Sequence, residues 1–318
     1  MAQLASITLS PSGFLNLSGA SQNTSSVGNM WYDNTTNRLQ YSFFGGAWSA
    51  GGSLITERQL LAGAGIQNAG LAFGGFTSLG NNASCTEEYN GTSWSAGGAL
   101  ITARRALAGA GTQNAGLAFG GYGGSSLSCT EQYNGSSWSS GGGLITPRQR
   151  LAGAGEQNAG LAFGGNSPYG SCTEEYNGST WSAGGALIST RAELAGAGTQ
   201  NAGLAFGGSY AGNVLSCTEE YNGTSWTAGG ALIIARWNLA GAGIQNAGLA
   251  FGGFAPIGGG SCTEEYNGSS WTAGGALING RSGLAGEGTQ TDGLAFGGQS
   301  SNGTCTEEYY IGIQGRIL

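Results

Sequence analysis

Side chains that could do ionic or acid–base chemistry recur in this sequence at regular spacing. Each of six repeats carries one Arg three residues after the Ile of a Leu-Ile pair, and one Glu two residues after a Cys. The arginines are Arg58, Arg104, Arg148, Arg191, Arg236 and Arg281, and the glutamates are Glu87, Glu131, Glu174, Glu219, Glu264 and Glu307. Matched guanidinium and carboxylate groups favour bidentate, partly buried ion pairs between neighbouring units. An Arg ring that binds an anionic ligand in a central channel is the alternative, which sixfold repetition disfavours.

Catalytic chemistry is not indicated by these residues. Adjacent carboxylates such as Glu174 and Glu175 could suggest a glycosidase acid and base. Neighbours on a strand point to opposite faces, however, so this pair cannot flank one bond. The chain contains no His, and a Ser or Cys nucleophile would therefore lack its usual base. The sequence predicts a protein that is not an enzyme and has no catalytic residues.

Six cysteines also recur, one at the same place in each repeat: Cys85, Cys129, Cys172, Cys217, Cys262 and Cys305. Equivalent positions in a radial array lie too far apart for the Cα spacing of about 5.5 Å that a disulfide prefers. We therefore expect free, buried thiols that act as small apolar residues. Metal sites need Cys pairs or His at ligand spacing, so the sequence predicts no metal and no cofactor.

Composition limits the classes of partner. The 318 residues include 66 Gly and carry a formal net charge of -7, and all ten basic residues are Arg. A nucleic-acid binder would need a basic cluster, which the sequence lacks. Apolar runs do not reach membrane-spanning length, and the first basic residue is Arg38, too late for the charged start of a signal peptide. We expect cytoplasmic synthesis, no membrane insertion and no nucleic-acid partner.

The elements that position these side chains follow from the repeat of about 45 residues. Within one repeat we predict four short strands, at Leu61 to Gly65, Gly70 to Gly75, Cys85 to Tyr89 and around Trp94. The first has almost no side-chain volume, which suits a crowded central axis. In the third, Cys85, Glu87 and Tyr89 form the predicted packed face. An Asn-Gly pair then predicts a hairpin into the fourth strand.

Four-stranded antiparallel units repeated radially make a β-propeller, and six units lie in the usual range of four to eight blades. The last repeat lacks a Trp strand, whereas the strand around Trp48 has no complete blade before it. We predict that the Trp48 strand completes the last blade. The expected organisation is an N-terminal arm or docking hairpin at 1 to 47, an all-β, six-bladed propeller at 48 to 309 and a C-terminal tail at 310 to 318, the arm itself being long enough for one or two strands.

The Gly-Gly, Tyr and Trp markers resemble Kelch repeats, in which a diglycine follows the second strand, a Tyr lies in the third and a Trp in the fourth. The resemblance covers residues 48 to 309, although Asn follows the Tyr here and the distance from Tyr89 to Trp94 is short. Copper chemistry found on some Kelch folds would lack its His ligands. The segments starting at Gly111 and Cys217 are similar to Kelch-like structural proteins of tailed phages, especially marine and cyanobacterial ones. The leader at 28 to 41 is similar to short modules of phage virion and fibre proteins.

The stretches between the second and third strands are the variable part of the repeat. They are 9, 7, 6, 8, 8 and 6 residues long and should emerge on one face. Five carry an aromatic residue, namely Phe76, Tyr122, Tyr169, Tyr210 and Phe254. Such rings suit stacking on sugars or packing against a protein, and capping of the blades beneath them is an equal alternative.

The resemblance implies a non-enzymatic virion protein that serves in capsid decoration or in tail or fibre adhesion. Its expected partners are other virion proteins, through the N-terminal arm, and a host-surface glycan at the loop face, and a homo-oligomer is compatible with the fold. A cellular sugar-binding propeller or adhesin, or an intracellular scaffold for protein partners, remains the alternative.

Overall fold

The structure is a computed structural model that describes residues 46 to 311, apart from 167, 169, 257, 259 and 300 to 302. Outside this range it describes five strands by their backbone pairing. These are β1 (Leu4–Leu9), β2 (Leu15–Gly19), β3 (Gly28–Asp33), β4 (Arg38–Phe43) and, near the other end of the chain, β33 (Gln314–Arg316). The described residues contain no helix, and therefore none that could cross a membrane.

Six four-stranded antiparallel sheets form the blades of a β-propeller, as the sequence predicts. Blade 1 contains β7 (Ala62–Ile66), β8 (Ala69–Phe73), β10 (Thr86–Tyr89) and β11 (Trp94–Gly97); blade 2 contains β12 (Ala108–Thr112), β13 (Ala115–Phe119), β14 (Thr130–Tyr133) and β15 (Trp138–Gly141); blade 3 contains β16 (Ala152–Glu156), β17 (Ala159–Phe163), β18 (Thr173–Tyr176) and β19 (Trp181–Ala183). Blade 4 contains β20 (Ala195–Thr199), β21 (Ala202–Phe206), β24 (Thr218–Tyr221) and β25 (Trp226–Ala228); blade 5 contains β26 (Ala240–Ile244), β27 (Ala247–Phe251), β28 (Thr263–Tyr266) and β29 (Trp271–Ala273); blade 6 contains β30 (Ala285–Gly288), β31 (Asp292–Phe296), β32 (Thr306–Ile311) and β5 (Gly46–Ala50). Two short hairpins add β6 (Arg58–Gln59) with β9 (Phe76–Thr77), and β22 (Ser209–Tyr210) with β23 (Asn213–Val214).

The first strand of each blade lies innermost, and the six inner strands contact one another in a closed ring. Ala and Gly are needed here because neighbouring backbones approach closely. A Cβ placed on Gly109 would lie 2.3 Å from the carbonyl oxygen of Gly63 in the preceding blade. The low side-chain volume of the Leu-Ala-Gly-Ala-Gly stretch is therefore what allows six strands to surround one axis.

The ring closes between the two ends of the propeller. The strand β5, around Trp48, pairs antiparallel with β32 of the last repeat, with Trp48 opposite Tyr309. The sequence prediction that the first Trp strand completes the last blade is confirmed. Closure removes an open seam that would otherwise expose the edges of a blade.

Apolar side chains fill the space between blades. Leu71 and Phe73 of blade 1 form one buried cluster with Tyr133 and Trp138 of blade 2, and equivalent clusters recur around the ring. The Phe73 and Trp138 rings lie 5.0 Å apart at 61°. Such an edge-to-face aromatic pair adds about 0.5–1.5 kcal/mol beyond its area burial.

The third strand is packed on both faces, which corrects the sequence prediction of a single packed face. Glu87 and Tyr89 are buried as expected, but Thr86 on the opposite side is buried too, while Cys85 is only half-buried. The Thr86 hydroxyl accepts a hydrogen bond of 2.9 Å from the indole nitrogen of Trp138 in the next blade. A blade has a neighbour on each side, so both faces of its strands require complementary packing.

A second sheet joins the two ends of the chain in the order β1-β2-β3-β4-β33. The sequence predicted one or two strands before residue 47, and the structure has four. It also predicted a separate tail from residue 310, whereas β32 continues to Ile311 and β33 pairs with β4 through Gly315 opposite Tyr41. This pairing joins residues far apart in sequence, so local patterns do not reveal it.

Candidate functional site

Loops and interblade connectors emerge from the same end of the propeller, because successive strands of a blade run in opposite directions. We call this end the loop face; it comprises the stretches between second and third strands and the connectors that follow each fourth strand. The first residue of a loop pairs with the residue after a connector Arg, as in Tyr122 with Arg105 and Phe254 with Trp237. Loops and connectors therefore form one continuous surface.

The six predicted Arg–Glu pairs lie beneath this surface. Five Nη2–Oε1 distances are 3.0 or 3.1 Å, and Arg281 contacts Glu307 through Nη1. Each Arg belongs to the connector that enters a blade, and each Glu belongs to that blade's third strand. The arginine side chains are 0% exposed, so they cannot form a ring that binds an anion in an open channel.

The pairs are more deeply buried than predicted, and they are not bidentate. Nη2 of Arg58 donates a hydrogen bond to Glu87. Nη1 donates to the carbonyl oxygens of Gly74 and Cys85, at 3.0 and 2.6 Å. The Glu87 oxygens also accept the backbone N–H groups of Ile55 and Thr56. Burial lowers the pKa of Arg58, and the neighbouring Glu87 carboxylate opposes this. Each pair thus fixes a connector to the next blade.

The cysteines are free, as expected, but only Cys305 is buried; the other five are half-buried. In three repeats the sulfur accepts a hydrogen bond from the connector Arg: Cys85 from Arg58, Cys129 from Arg104 and Cys217 from Arg191. In the first repeat the Arg58 Nη1 donates to Cys85 Sγ at 3.0 Å. Among the described residues, no group of three or more His, Cys, Asp or Glu side chains is arranged to bind a metal ion.

The predicted loop aromatics do not share one environment. Phe76 and Tyr122 are half-buried, and both contact the Arg105 guanidinium, whose carbon lies 4.3 and 4.9 Å from their ring centroids. Phe254 is 52% exposed and packs against Trp237, with ring centroids 5.4 Å apart. These contacts match the capping alternative for part of the set.

Tyr210 is 51% exposed on the hairpin of β22 and β23. Tyr169 lies outside the described residues.

A closed ring of six backbone hydrogen bonds surrounds the axis at the loop face, and the sequence did not predict it. The N–H of each member donates to the carbonyl of the equivalent residue in the preceding blade, at 2.7 to 2.8 Å. All members have left-handed backbone, with φ between 51° and 63°. They are Leu60, Ala106, Arg150, Glu193, Asn238 and Gly283. Five of the six are not Gly, and such residues adopt left-handed backbone much less readily than Gly does. The surrounding fold therefore imposes this conformation on them.

Two adjacent members of this ring carry opposite charges. Arg150 Nη1 and Glu193 Oε1 lie 2.6 Å apart, with 51% of the Arg side chain and 9% of the Glu side chain exposed. The second Glu193 oxygen accepts a hydrogen bond of 2.7 Å from the Ser209 hydroxyl. The remaining members of the ring are uncharged, so this pair distinguishes one sector of the loop face.

The pair lies in a cleft of ≈ 480 Å³ between blades 3 and 4. The walls come from the connectors and loops of these blades: Arg150, Gly165, Asn166, Thr190, Arg191, Ala192, Glu193, Ser209, Tyr210 and Ala211. A smaller cavity of ≈ 80 Å³ lies at the axis and shares Arg150 and Glu193 with the cleft. The cleft volume falls in the range of about 300–1,000 Å³ typical of small-molecule sites.

The chain matches no protein-family model and no curated protein sequence.

One buried acid lies outside the loop face. The inner strand of the sixth repeat has Glu287 where the other five have Ala64, Ala110, Ala154, Ala197 and Ala242. Glu287 is 6% exposed, between blades 6 and 1, and neither carboxyl oxygen makes a hydrogen bond of good geometry with the part of the chain that the structure describes. Burial raises its pKa well above the usual value, and the backbone of Leu71 and Ala64 opposes this only in part.

Proposed function

We propose that this chain is a non-enzymatic structural protein of a tailed-phage virion, in capsid decoration or in tail or fibre adhesion, and that its loop face binds a partner. The observation that carries the proposal is that the invariant polar side chains of each repeat bond neighbouring blades, whereas the stretches that vary between repeats are gathered on one face. The Kelch-like and phage-like sequence segments supply the virion context.

The invariant polar side chains of the repeat already have partners in neighbouring blades. Gln113 donates to the carbonyl oxygens of Gly70 and Tyr89 in the preceding blade, at 3.0 and 2.7 Å. Tyr133 donates to Glu88 of the preceding blade at 2.6 Å. Equivalent contacts close the ring at Gln67 and Tyr89. These groups serve construction, which leaves the variable loops and connectors for recognition.

In one repeat the residue that accepts the tyrosine hydrogen bond is not Glu, and there the direction of the hydrogen bond is reversed. Blade 2 has Gln132 where the other repeats have Glu, and its amide nitrogen donates to the Tyr176 hydroxyl at 3.1 Å. A side chain that differs but still serves the same contact is the behaviour of a scaffold position.

The sheet formed by β1 to β4 and β33 is the proposed attachment element. It is separate from the six blades in strand pairing and gathers both ends of the chain. Attachment through this sheet to other virion proteins would leave the loop face available for a host-surface glycan or protein.

Mass spectrometry of density-purified particles, from the culture that expresses the gene, tests the proposal. We expect Arg-ended peptides of this chain, such as the one from Leu151 to Arg191, to remain with particles through a salt wash. Fluorescently labelled antibody against the chain should decorate the same particles. Peptides found only in the soluble fraction of the cells, with bare particles, would refute the virion assignment and favour the cellular alternative.

A further inference from the structure

The cleft between blades 3 and 4 contains an exposed aromatic side chain and an ion pair without net charge. The inference drawn from it rests on the proposed function. Among the aromatic residues of the loop face, Tyr210 lines this cleft with half of its surface exposed. Arg150 and Glu193 supply charged donors and acceptors in the same walls. An apolar face beside a few polar groups is the usual composition of a small-molecule site.

The backbone of Tyr210 belongs to a tight hairpin. It pairs with Asn213 across a two-residue turn in which Ala211 and Gly212 both have positive φ, 50° and 83°. This backbone corresponds to a tight type I′ hairpin, which fixes the strands that it joins. A backbone that is already ordered need not be fixed when a ligand stacks on the side chain, so binding loses less conformational entropy.

Charges in the cleft balance. Arg191 is buried and paired with Glu219, and Arg150 is paired with Glu193. The pair retains capacity for a ligand, because Arg150 is half-exposed and a guanidinium has five N–H donors. A balanced cleft gives no net attraction for an anion, whereas it can hydrogen-bond a neutral polyhydroxyl compound.

A further acceptor supports this chemistry. The side-chain oxygen of Asn166 is buried in the cleft wall, and it has no hydrogen-bond partner among the described residues. An unpartnered buried oxygen costs free energy unless a donor reaches it. A hydroxyl group of a ligand is a donor of the right kind.

We propose that this cleft binds a terminal neutral sugar residue, with Tyr210 stacking on its C–H face and Arg150 and Glu193 hydrogen-bonding adjacent hydroxyl groups. Asn166 accepts a further hydroxyl. The site deepens the proposed loop-face function by naming one sector and one ligand class. Phe254 and the Phe76–Arg105–Tyr122 stack belong to other sectors and take no part.

The test uses the full chain and saturation-transfer NMR with the methyl glycosides of glucose, galactose, mannose and N-acetylglucosamine. Methyl glucuronide and N-acetylneuraminic acid serve as charged probes. At least one neutral glycoside should bind, with transfer strongest to protons on one face of the ring. Tyr210→Ala should weaken binding at least about tenfold, and Tyr210→Phe should retain it, because stacking needs the ring and not the hydroxyl.

Arg150→Leu should also weaken binding, and it keeps the fold because Leu60 occupies the equivalent position in another blade. Ile244→Ala is the matched control: Ile244 is 58% exposed and lies on the opposite face of the propeller. Its binding and melting temperature should equal those of the unmodified chain.

The inference is overturned if none of the four neutral glycosides binds at about 20 mM, well above the millimolar Kd of a weak site. Binding only of the charged probes, or neutral binding that Tyr210→Ala leaves intact, would overturn it too. Such results would leave the virion proposal in place if particles contain the chain. Absence from particles would remove that proposal without altering the glycoside titration.

Discussion

Replacing Glu287 with Ala should stabilise the propeller and abolish a pH dependence. The repeat itself indicates that Ala fits, because the other five blades have Ala at this position. In the sixth blade the carboxyl group instead faces Gly70, where an added Cβ would lie only 2.2 Å from Oε1. Leaving a buried polar group unpaired costs about 1–3 kcal/mol, so Glu287→Ala should raise the free energy of unfolding by about that amount at low pH.

The advantage of Ala should grow as pH rises. The folded-state pKa of Glu287 is raised, so above its ordinary value near 4.5 the folded protein binds more protons than the unfolded chain. Stability of the unmodified protein is then lost as pH rises toward the raised pKa, at up to about 1.4 kcal/mol per pH unit. Glu287→Ala lacks this group and should show a flatter profile.

Urea denaturation of both proteins at pH 4, 5, 6, 7 and 8 measures the difference directly. The buffers should have equal ionic strength. Glu156→Ala is a control, because Glu156 is the exposed last residue of its strand. Parallel stability curves for Glu287→Ala and the unmodified chain would refute the reasoning. That outcome would mean that water or a rearranged side chain satisfies the carboxylate.

Three further outcomes are expected. Leu60→Gly should raise the free energy of unfolding by about 1 kcal/mol and Gly283→Ala should lower it by a similar amount, since both residues have positive φ; equal effects of one sign in thermal melts would contradict the ring's strain. Arg191→Ala should cost about 3–5 kcal/mol because it leaves Glu219 buried without its cation, and a loss below 1 kcal/mol in urea titrations would contradict the role of the pair. Burial raises the pKa of Tyr133 to about 12, so the stability contributed by its neutral hydroxyl should be lost as pH rises from about 10 towards 12; absorbance at 295 nm that titrates fully near pH 10 before unfolding would contradict this.

The blades and their closure were predictable because their signals are local and repeated six times. Alternation at Leu71 and Phe73, the Asn-Gly turns and the Trp strands each fix a strand without knowledge of its neighbours. The displaced strand at Trp48 then showed how the ring closes. Repetition also indicated which residues serve packing, although it did not reveal that Thr86 is buried by the next blade's Trp138.

The cleft was less accessible to sequence reasoning, because it depends on the ring geometry. Arg150 and Glu193 are 43 residues apart and meet only because equivalent positions of adjacent blades converge near the axis. Their left-handed backbone has no sequence signature, since Leu, Ala, Arg and Glu seldom favour it. A usable signal did exist: this position and the one before it vary among repeats, although the Arg before the two and the Leu after them do not.

The N-terminal sheet was missed for a related reason. Its first four strands pair in sequence order and could have been inferred from the residues before position 47, but β33, which pairs with β4, lies at the other end of the chain. Long-range strand pairing is set by the closed propeller, which brings both ends of the chain together.

The claim that construction and recognition are separate parts of the repeat has one direct test. A chain that carries the sixth repeat's loop sequence, 299 to 304, in all six blades should be compared with the unmodified chain by thermal melting and by binding to an array of neutral glycans. We expect a melting temperature within a few degrees of the unmodified protein, which corresponds to about 1 kcal/mol or less, together with loss of glycan binding. If the uniform-loop chain still binds glycans, or fails to form the propeller, construction and recognition are not separate parts of the repeat.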